Sequence, residues 1–217
     1  MNMTRIEELA AELLMNKKSH PWKEIGNKYH HGIRTAKIAL ALRRLIFPED
    51  NSHDEILTAA ALFHDVANSE EGYKDHGKAG AIQVRGLLAD FCSEAELNEI
   101  CHIIEVHDDR KSERRHGYSN WVKLHQDADY LDHAGTYDIW MNCIQGGVWD
   151  QTAAEAAEYM ANKRIEELSN AHKLINYAVS HKILDEKIEY QRQFAVRFSA
   201  EMAGEIIDLD RLWAEAK

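Results

Sequence analysis

Three histidines, His31, His64 and His107, fall on the apolar faces of three separate helical segments, and Asp65 directly follows the second of them. Imidazole nitrogens and carboxylate oxygens are the donors that hold divalent transition ions. A single inward histidine is ordinary core, bonded to a neighbour, but three of them, one in a doublet with aspartate, point to a shared ligand. Adjacent helical positions lie about 100° apart, so His64 and Asp65 reach one ion only where a helix ends. Further along, Asp127-Ala128-Asp129-Tyr130-Leu131-Asp132 brings three carboxylates into one short segment.

The elements that must position these groups are helices. With only 2 prolines and 11 glycines in 217 residues, and with Ala, Leu, Glu, Lys and Ile in long stretches, the chain favours helix over a turn-rich β fold. Apolar spacing predicts an opening helix over 4–16 behind Thr4, a second from about Lys28 to Phe47 with Ile38, Leu42 and Leu45 on the face of His31, and a third from Glu55 to Val66. Further helices are predicted from His76 to about Ala89, from Glu94 to His107 and from Trp121 to Asp132. Gly135, Gly146 and Gly147 read as turns, and 152–216 as two or three long charged helices with the stripe Ile175, Val179, Ile183, Phe194, Phe198 and Met202.

Composition narrows the function classes. A formal net charge of −11 opposes binding to duplex nucleic acid, which needs a basic face. The start of the chain lacks an apolar signal core and no run approaches about 18 apolar residues, so no membrane segment and a cytoplasmic location are expected. Cys92, Cys101 and Cys143 have no CxxC spacing and read as reduced, buried thiols.

The order His31-Gly32-Ile33-Arg34-Thr35, then Ala60-Ala61-Leu62-Phe63-His64-Asp65-Val66, then Asp127-Ala128-Asp129-Tyr130-Leu131-Asp132 resembles the HD superfamily. That family's signature is a histidine on one helix, a His-Asp doublet on a second and a distant aspartate on a later one. More closely, the chain is similar to small bacterial HD-domain phosphohydrolases with a helical C-terminal extension. The resemblance implies an all-α HD-domain helical bundle, one domain over 1–217 with a metal-binding core at about 24–140 and C-terminal helices at about 150–216.

It also implies a ligand set of His31, His64, Asp65 and Asp129 around a divalent ion, Mn²⁺, Fe²⁺, Mg²⁺ or Zn²⁺. Helix phase alone leaves Asp127 and Asp129 open, since they lie about 200° apart and apolar neighbours flank both. The resemblance favours Asp129, with Asp127 and Asp132 behind it. His76, before a Gly-Lys-Ala-Gly-Ala stretch, and His107, ending an Ile-Ile helix, match positions that bind a second metal in some HD subgroups. The implied activity is hydrolysis of a small phosphorylated metabolite, with a nucleotide among the candidates and a homodimer as the candidate assembly. The alternatives are a di-iron oxygenase or a non-catalytic, metal-stabilised sensor or interaction module.

One departure bears on mechanism. Nucleotide-cleaving HD enzymes often carry a glutamate three residues after the doublet, and Asn68 stands there. Asp65, Glu70, Glu71 and Asp109 are the candidate catalytic carboxylates, with Asp108 beside them. For an anionic substrate, the loop from Asp108 to His116 offers Arg110, Lys111 and Arg114, and Arg34 and Lys78 are placed to add to it.

Overall fold

The computed structural model describes residues 1–68 and 75–205, and among them no strand occurs. The fold is all-α, as composition and resemblance predict. Glu70 and Glu71 lie outside the described residues.

The chain divides into two compact units, Met1–His133 with Leu174–Ile183, and Ala134–Lys173 with the chain from Leu184 onward. In the first unit, α1 (Met3–Leu14) is capped by Asn2 and buries Ile6, Ala10 and Leu14. Then follow α2 (Asn27–Ile46), α3 (Asp54–Phe63), α4 (His76–Leu88), α5 (Glu94–Val106) and α6 (Asn120–Asp132). Helix α3 is the centre, with Ile56, Leu57 and every residue from Ala59 to Phe63 buried, and it packs on α1, α2, α5 and α6. A helix apolar all round belongs inside.

Two glycines set the helix crossings that matter for chemistry. A Cβ on Gly32 of α2 would stand 2.8 Å from Ala61 O, and one on Gly77 of α4 would stand 2.7 Å from Glu105 O. Only glycine allows backbones this close, and each is preceded by a histidine, His31 and His76. The same approach that packs the helices therefore delivers both imidazoles to the interior.

In the second unit, α7 (Thr136–Val148) is followed by α8 (Ala153–Tyr159), a π-turn at Met160–Arg164, α9 (Ile165–Asn170) and a 3₁₀ turn at Ala171–Leu174. The last helix, α10 (Ala178–Met202), begins in the sequence of the first unit and ends in that of the second. Ile139, Ala156, Met160 and Ala195 form the core of the second unit, with Tyr159, Phe194 and Phe198 packed on it.

Several expectations are corrected. The glycines at 146 and 147 do not break the chain: α7 continues through them, because Gly146 faces inward with Ala156 and Gln151 beside it. Leu45 is exposed, and the inner face of α2 is His31, Thr35, Ala39 and Leu42. Of the predicted C-terminal stripe Ile175 is buried, but along α10 the buried positions are Ser180, Leu184, Ile188, Gln191 and Ala195, one position on from Val179, Ile183 and Phe194, and short helices replace a long one before Ala171. Cys143 is exposed, whereas Cys101 is buried. A 3₁₀ turn, Glu113–Gly117, interrupts the charged loop.

Candidate metal centre

His64 is the residue that caps the C-terminal end of α3, and Asp65 begins the turn beyond it. At this helix end both side chains face the point reached by His31 from α2 and Asp129 from α6. His31 Nε2 stands 3.1 Å from His64 Nε2 and 3.1 Å from Asp129 Oδ1, while His64 Nε2 lies 3.6 Å from Asp129 Oδ1 and 4.0 Å from Asp65 Oδ1. Beside this group, His76 Nε2 is 2.9 Å from His107 Nε2, and these are 3.5 and 3.9 Å from the same Asp65 Oδ1. His31, His64 and Asp65 form one triad of ligand atoms, and Asp65, His76 and His107 form another, sharing the carboxylate.

The imidazoles are fixed from behind. His64 Nδ1 donates to Ala61 O at 2.8 Å, His107 Nδ1 to Ile104 O at 2.7 Å, and His31 Nδ1 to Asp132 Oδ2 at 2.7 Å. With Nδ1–H committed to an acceptor, the Nε2 lone pair is the one presented forward, the arrangement that orients metal-binding histidines. Asp132 is itself held by Arg34 through two bonds of 2.7 and 2.8 Å.

Electrostatics describe a site that demands positive charge. Burial pushes His64 down to about 4 and lowers His107 and His125, so these rings are neutral. Burial also disfavours charge on His31, but the adjoining Asp129 and Asp132 carboxylates outweigh this and raise it to about 9, so a cation bound there would take the place of the proton on Nε2. Burial opposes ionisation of Asp129 as well, yet Arg110, His133 and His31 hold it well below the carboxylate range. Asp65 is likewise depressed despite burial, chiefly by His64 and His31.

The donor set fits a divalent ion. Asp129 Oδ1 is buried with no hydrogen-bond partner, although three histidine nitrogens surround it. Ligands about 2.1 Å from one ion stand roughly 3 to 4.2 Å from one another, and the spacings around Asp129 Oδ1 and His64 Nε2 lie in that range. The His/Asp cluster could thus hold one metal ion through His31, His64, Asp65 and Asp129, and a second through Asp65, His76 and His107.

The predicted anion-binding cations are distributed differently. Arg34 is spent on Asp132, Arg114 pairs with Asp109 at 2.9 Å, and Arg110 reaches inward to Asp129 while lying over the Tyr130 ring. Lys78 shares a polar pocket with Asp75, Glu105, Asp108 and Asp109, and Lys111 is exposed. Asp109 also accepts from Tyr118 Oη at 2.5 Å, and that bond leads the interactions that depress its pKa. Asp127 points away from the cluster and accepts from the backbone N–H groups of Asn176 and Tyr177 at 2.8 and 3.1 Å.

Two residues near the cluster escape sequence reasoning. His125 is fully buried between His64 and His107, with neither ring nitrogen partnered among the described residues. His133 caps α6, half exposed, with Nε2 3.5 Å from Asp129 Oδ1. The missed signal is helical: 125, 129 and 133 stand four residues apart and so share one face.

Comparison with known proteins agrees with this geometry. The HD domain family matches residues 29–134. The protein carries an HD domain. Among solved structures, the chain is similar to Bacillus subtilis YpgQ in complex with ADP, with 19% identity, 96% of this chain and 97% of that chain covered, and a TM-score of 0.63. It is also similar to an HD-superfamily hydrolase from Bacillus thuringiensis, with 22% identity, 94% and 97% coverage and a TM-score of 0.65. A predicted HD superfamily hydrolase from an uncultured Thermotogales bacterium aligns at 21% identity, 92% coverage of each chain and a TM-score of 0.60. No curated protein sequence matches the chain.

Proposed function

We propose that this HD-domain protein is a metal-dependent phosphohydrolase acting on a small phosphorylated metabolite. The observation that carries the reading is the convergence of the Nε2 atoms of His31 and His64, each with Nδ1 tied to an acceptor, on the unpartnered Asp129 Oδ1. A divalent ion held there supplies a bound water of lowered pKa and a charge that offsets phosphoryl oxygen in the transition state.

The chain's own residues prepare that chemistry. Asp132 and two main-chain carbonyls fix the imidazoles, so little reorganisation is needed during reaction. Arg110 lies against Asp129, where it is placed to meet a phosphoryl oxygen by swinging off the carboxylate. His133, on the exposed side, is placed to carry a proton between solvent and the leaving group. The HD domain and the hydrolase descriptions of two structural neighbours support hydrolysis, and the ADP bound to the YpgQ neighbour supports a nucleotide as substrate.

The test is elemental analysis together with a panel of phosphomonoesters and nucleotides in Mn²⁺, Mg²⁺ and Zn²⁺. Stoichiometric metal and phosphate release are expected, and a metal-loaded protein that releases no phosphate from any of them would remove the reading. A second reading, a di-iron oxygenase, draws on Asp65 Oδ1 being common to both triads. Two irons per chain with substrate-dependent oxygen consumption would select it instead.

A further inference from the structure

Between α1 and α2 the chain runs Lys17-Lys18-Ser19-His20-Pro21-Trp22-Lys23-Glu24-Ile25-Gly26-Asn27-Lys28, four ammonium groups against one carboxylate in a chain of net charge −11. Lys17, Lys18 and Lys28 line a cavity of about 230 Å³ together with Val66 and Asn68. Its wall meets the metal centre twice. Lys28 Nζ donates to Asp65 O at 2.9 Å, and Asn68 Nδ2 donates to Asp65 Oδ1 at 3.2 Å.

These groups retain bonding capacity. An ammonium has three N–H donors, and the bond to Asp65 O uses one of Lys28's. Asn68 is 7% exposed, and among the described residues its bond to Asp65 Oδ1 uses one of its two amide N–H donors. None of Lys17, Lys18, Lys23 and Lys28 joins an ion pair among the described residues, whereas Arg34, Arg110 and Arg114 all do. Lys23 stands near enough for Asp65 and Asp129 to offset part of the fall that burial causes in its pKa. The unspent positive charge beside the metal centre therefore comes from this lysine segment rather than from the arginines of the 108–116 loop.

A single phosphate engaged at the His/Asp cluster would leave this charge without a counterpart. We propose that Lys17, Lys18 and Lys28, with Asn68, form an anion subsite that holds a phosphate of the substrate other than the one attacked, so that the substrate class is a chain of two or more linked phosphates. This rests on the phosphohydrolase reading for the meaning of "attacked", while binding at the subsite is measurable without turnover.

The experiment is calorimetric titration of the full-length protein, as purified, with methylenediphosphonate, a linked-phosphate probe that resists hydrolysis, and with methylphosphonate, its single-phosphate counterpart. Wild type should prefer the linked probe by tenfold or more. Because Lys17 and Lys18 are exposed, the K17Q/K18Q double variant should fold normally, leave methylphosphonate affinity unchanged and lose most of that preference. Lys28→Met serves as the second variant. A preference undiminished in both would overturn the subsite.

Hydrolysis of p-nitrophenyl phosphate and inorganic tripolyphosphate by the same proteins separates the two readings. Lysine-dependent binding without turnover keeps the subsite and removes the hydrolase. Turnover of tripolyphosphate with a KM unmoved by K17Q/K18Q keeps the hydrolase and removes the subsite.

Discussion

Each of the two units buries a polar cluster, and the clusters are finished in opposite ways. In the second unit, Asp138 receives Arg164 Nε and Nη2 at 2.9 and 2.8 Å and Gln191 Nε2 at 2.6 Å, while Gln191 Oε1 accepts from Gly135 N at 2.7 Å. In the first unit, Asp129 Oδ1 and both nitrogens of His125 are buried without partners, and two pairs of imidazole nitrogens face each other. Among the described residues, every buried side-chain atom lacking a partner lies in the first unit. Unsatisfied buried polar atoms cost stability, so a fold retains them where a ligand completes them. The closed network holds structure together, and the open one awaits something to bind.

The largest expected effects test that contrast directly. His64→Ala with Asp65→Ala removes one nitrogen and the shared carboxylate, so metal content should fall from stoichiometric to near zero and turnover with it. Arg164→Met should leave metal content untouched and lower stability by about 3 kcal/mol, because the Asp138 carboxylate stays buried without its main partner. Elemental analysis and thermal melts of both variants decide the matter. Metal retained by the first, or lost by the second, would dissolve the distinction.

Within the first unit, Asp129→Asn and Asp127→Asn should diverge next. Asp129 faces the histidines, so its amide should weaken metal binding by roughly 100-fold or more, at or beyond the largest effect of losing a residue that only supports a ligand. Asp127 accepts three N–H bonds from Asn176 and Tyr177, so its amide should cost about 1–2 kcal/mol of stability with metal affinity intact. Competition with a chelator measures the first and denaturant unfolding the second. Loss of metal in Asp127→Asn alone would mean that the wrong face of α6 has been assigned.

The face of α6 also marks how far the sequence is legible. The doublet at the end of an apolar helix, the acidic segment and the inward histidines are readable because each departs from a regular apolar period. Asp127 and Asp129 leave opposite sides of one helix, and Asp129 is the one that faces the histidines. His125 and His133 pass unnoticed because α6 is buried on its polar positions too, and a search for apolar stripes skips a polar one. Arg110 looks like a loop cation in sequence, and only the fold shows it turned inward onto Asp129. The lysine segment has no apolar period to single it out in sequence, and only the fold shows Lys28 bonded to Asp65 O, while α7 is missed because glycine signals a turn unless its packing partner is known.

A smaller effect sharpens the open cluster further. His133→Gln removes the proposed proton carrier from the exposed rim and leaves His31, His64, Asp65 and Asp129 in place, so metal content should stay whole while kcat falls roughly 10- to 100-fold. A parallel loss of metal would instead make His133 a ligand, a role its 3.5 Å distance to Asp129 Oδ1 also permits.

The smallest pair of changes concerns glycine and compares the units at the level of backbone. Gly32 lets α2 lie against α3, and a methyl there would meet Ala61 O at 2.8 Å and Leu62 Cα at 3.0 Å, atoms that cannot yield without moving a helix. Gly32→Ala should therefore cost about 1–3 kcal/mol, and because His31 precedes it, the shift should also draw His31 Nε2 away from His64 and weaken metal binding. Gly147 lies in the last turn of α7, exposed, and a methyl placed on it would have nothing within 4 Å. There the methyl meets no obstacle and restricts only the unfolded chain, so Gly147→Ala should stabilise by about 0.5–1 kcal/mol and leave metal affinity unchanged. Melting temperature and metal titration on the two variants give a paired readout. If Gly32→Ala lowered stability but kept full metal affinity, the close approach of α2 and α3 would be a packing device alone, and the placement of His31 would owe nothing to it.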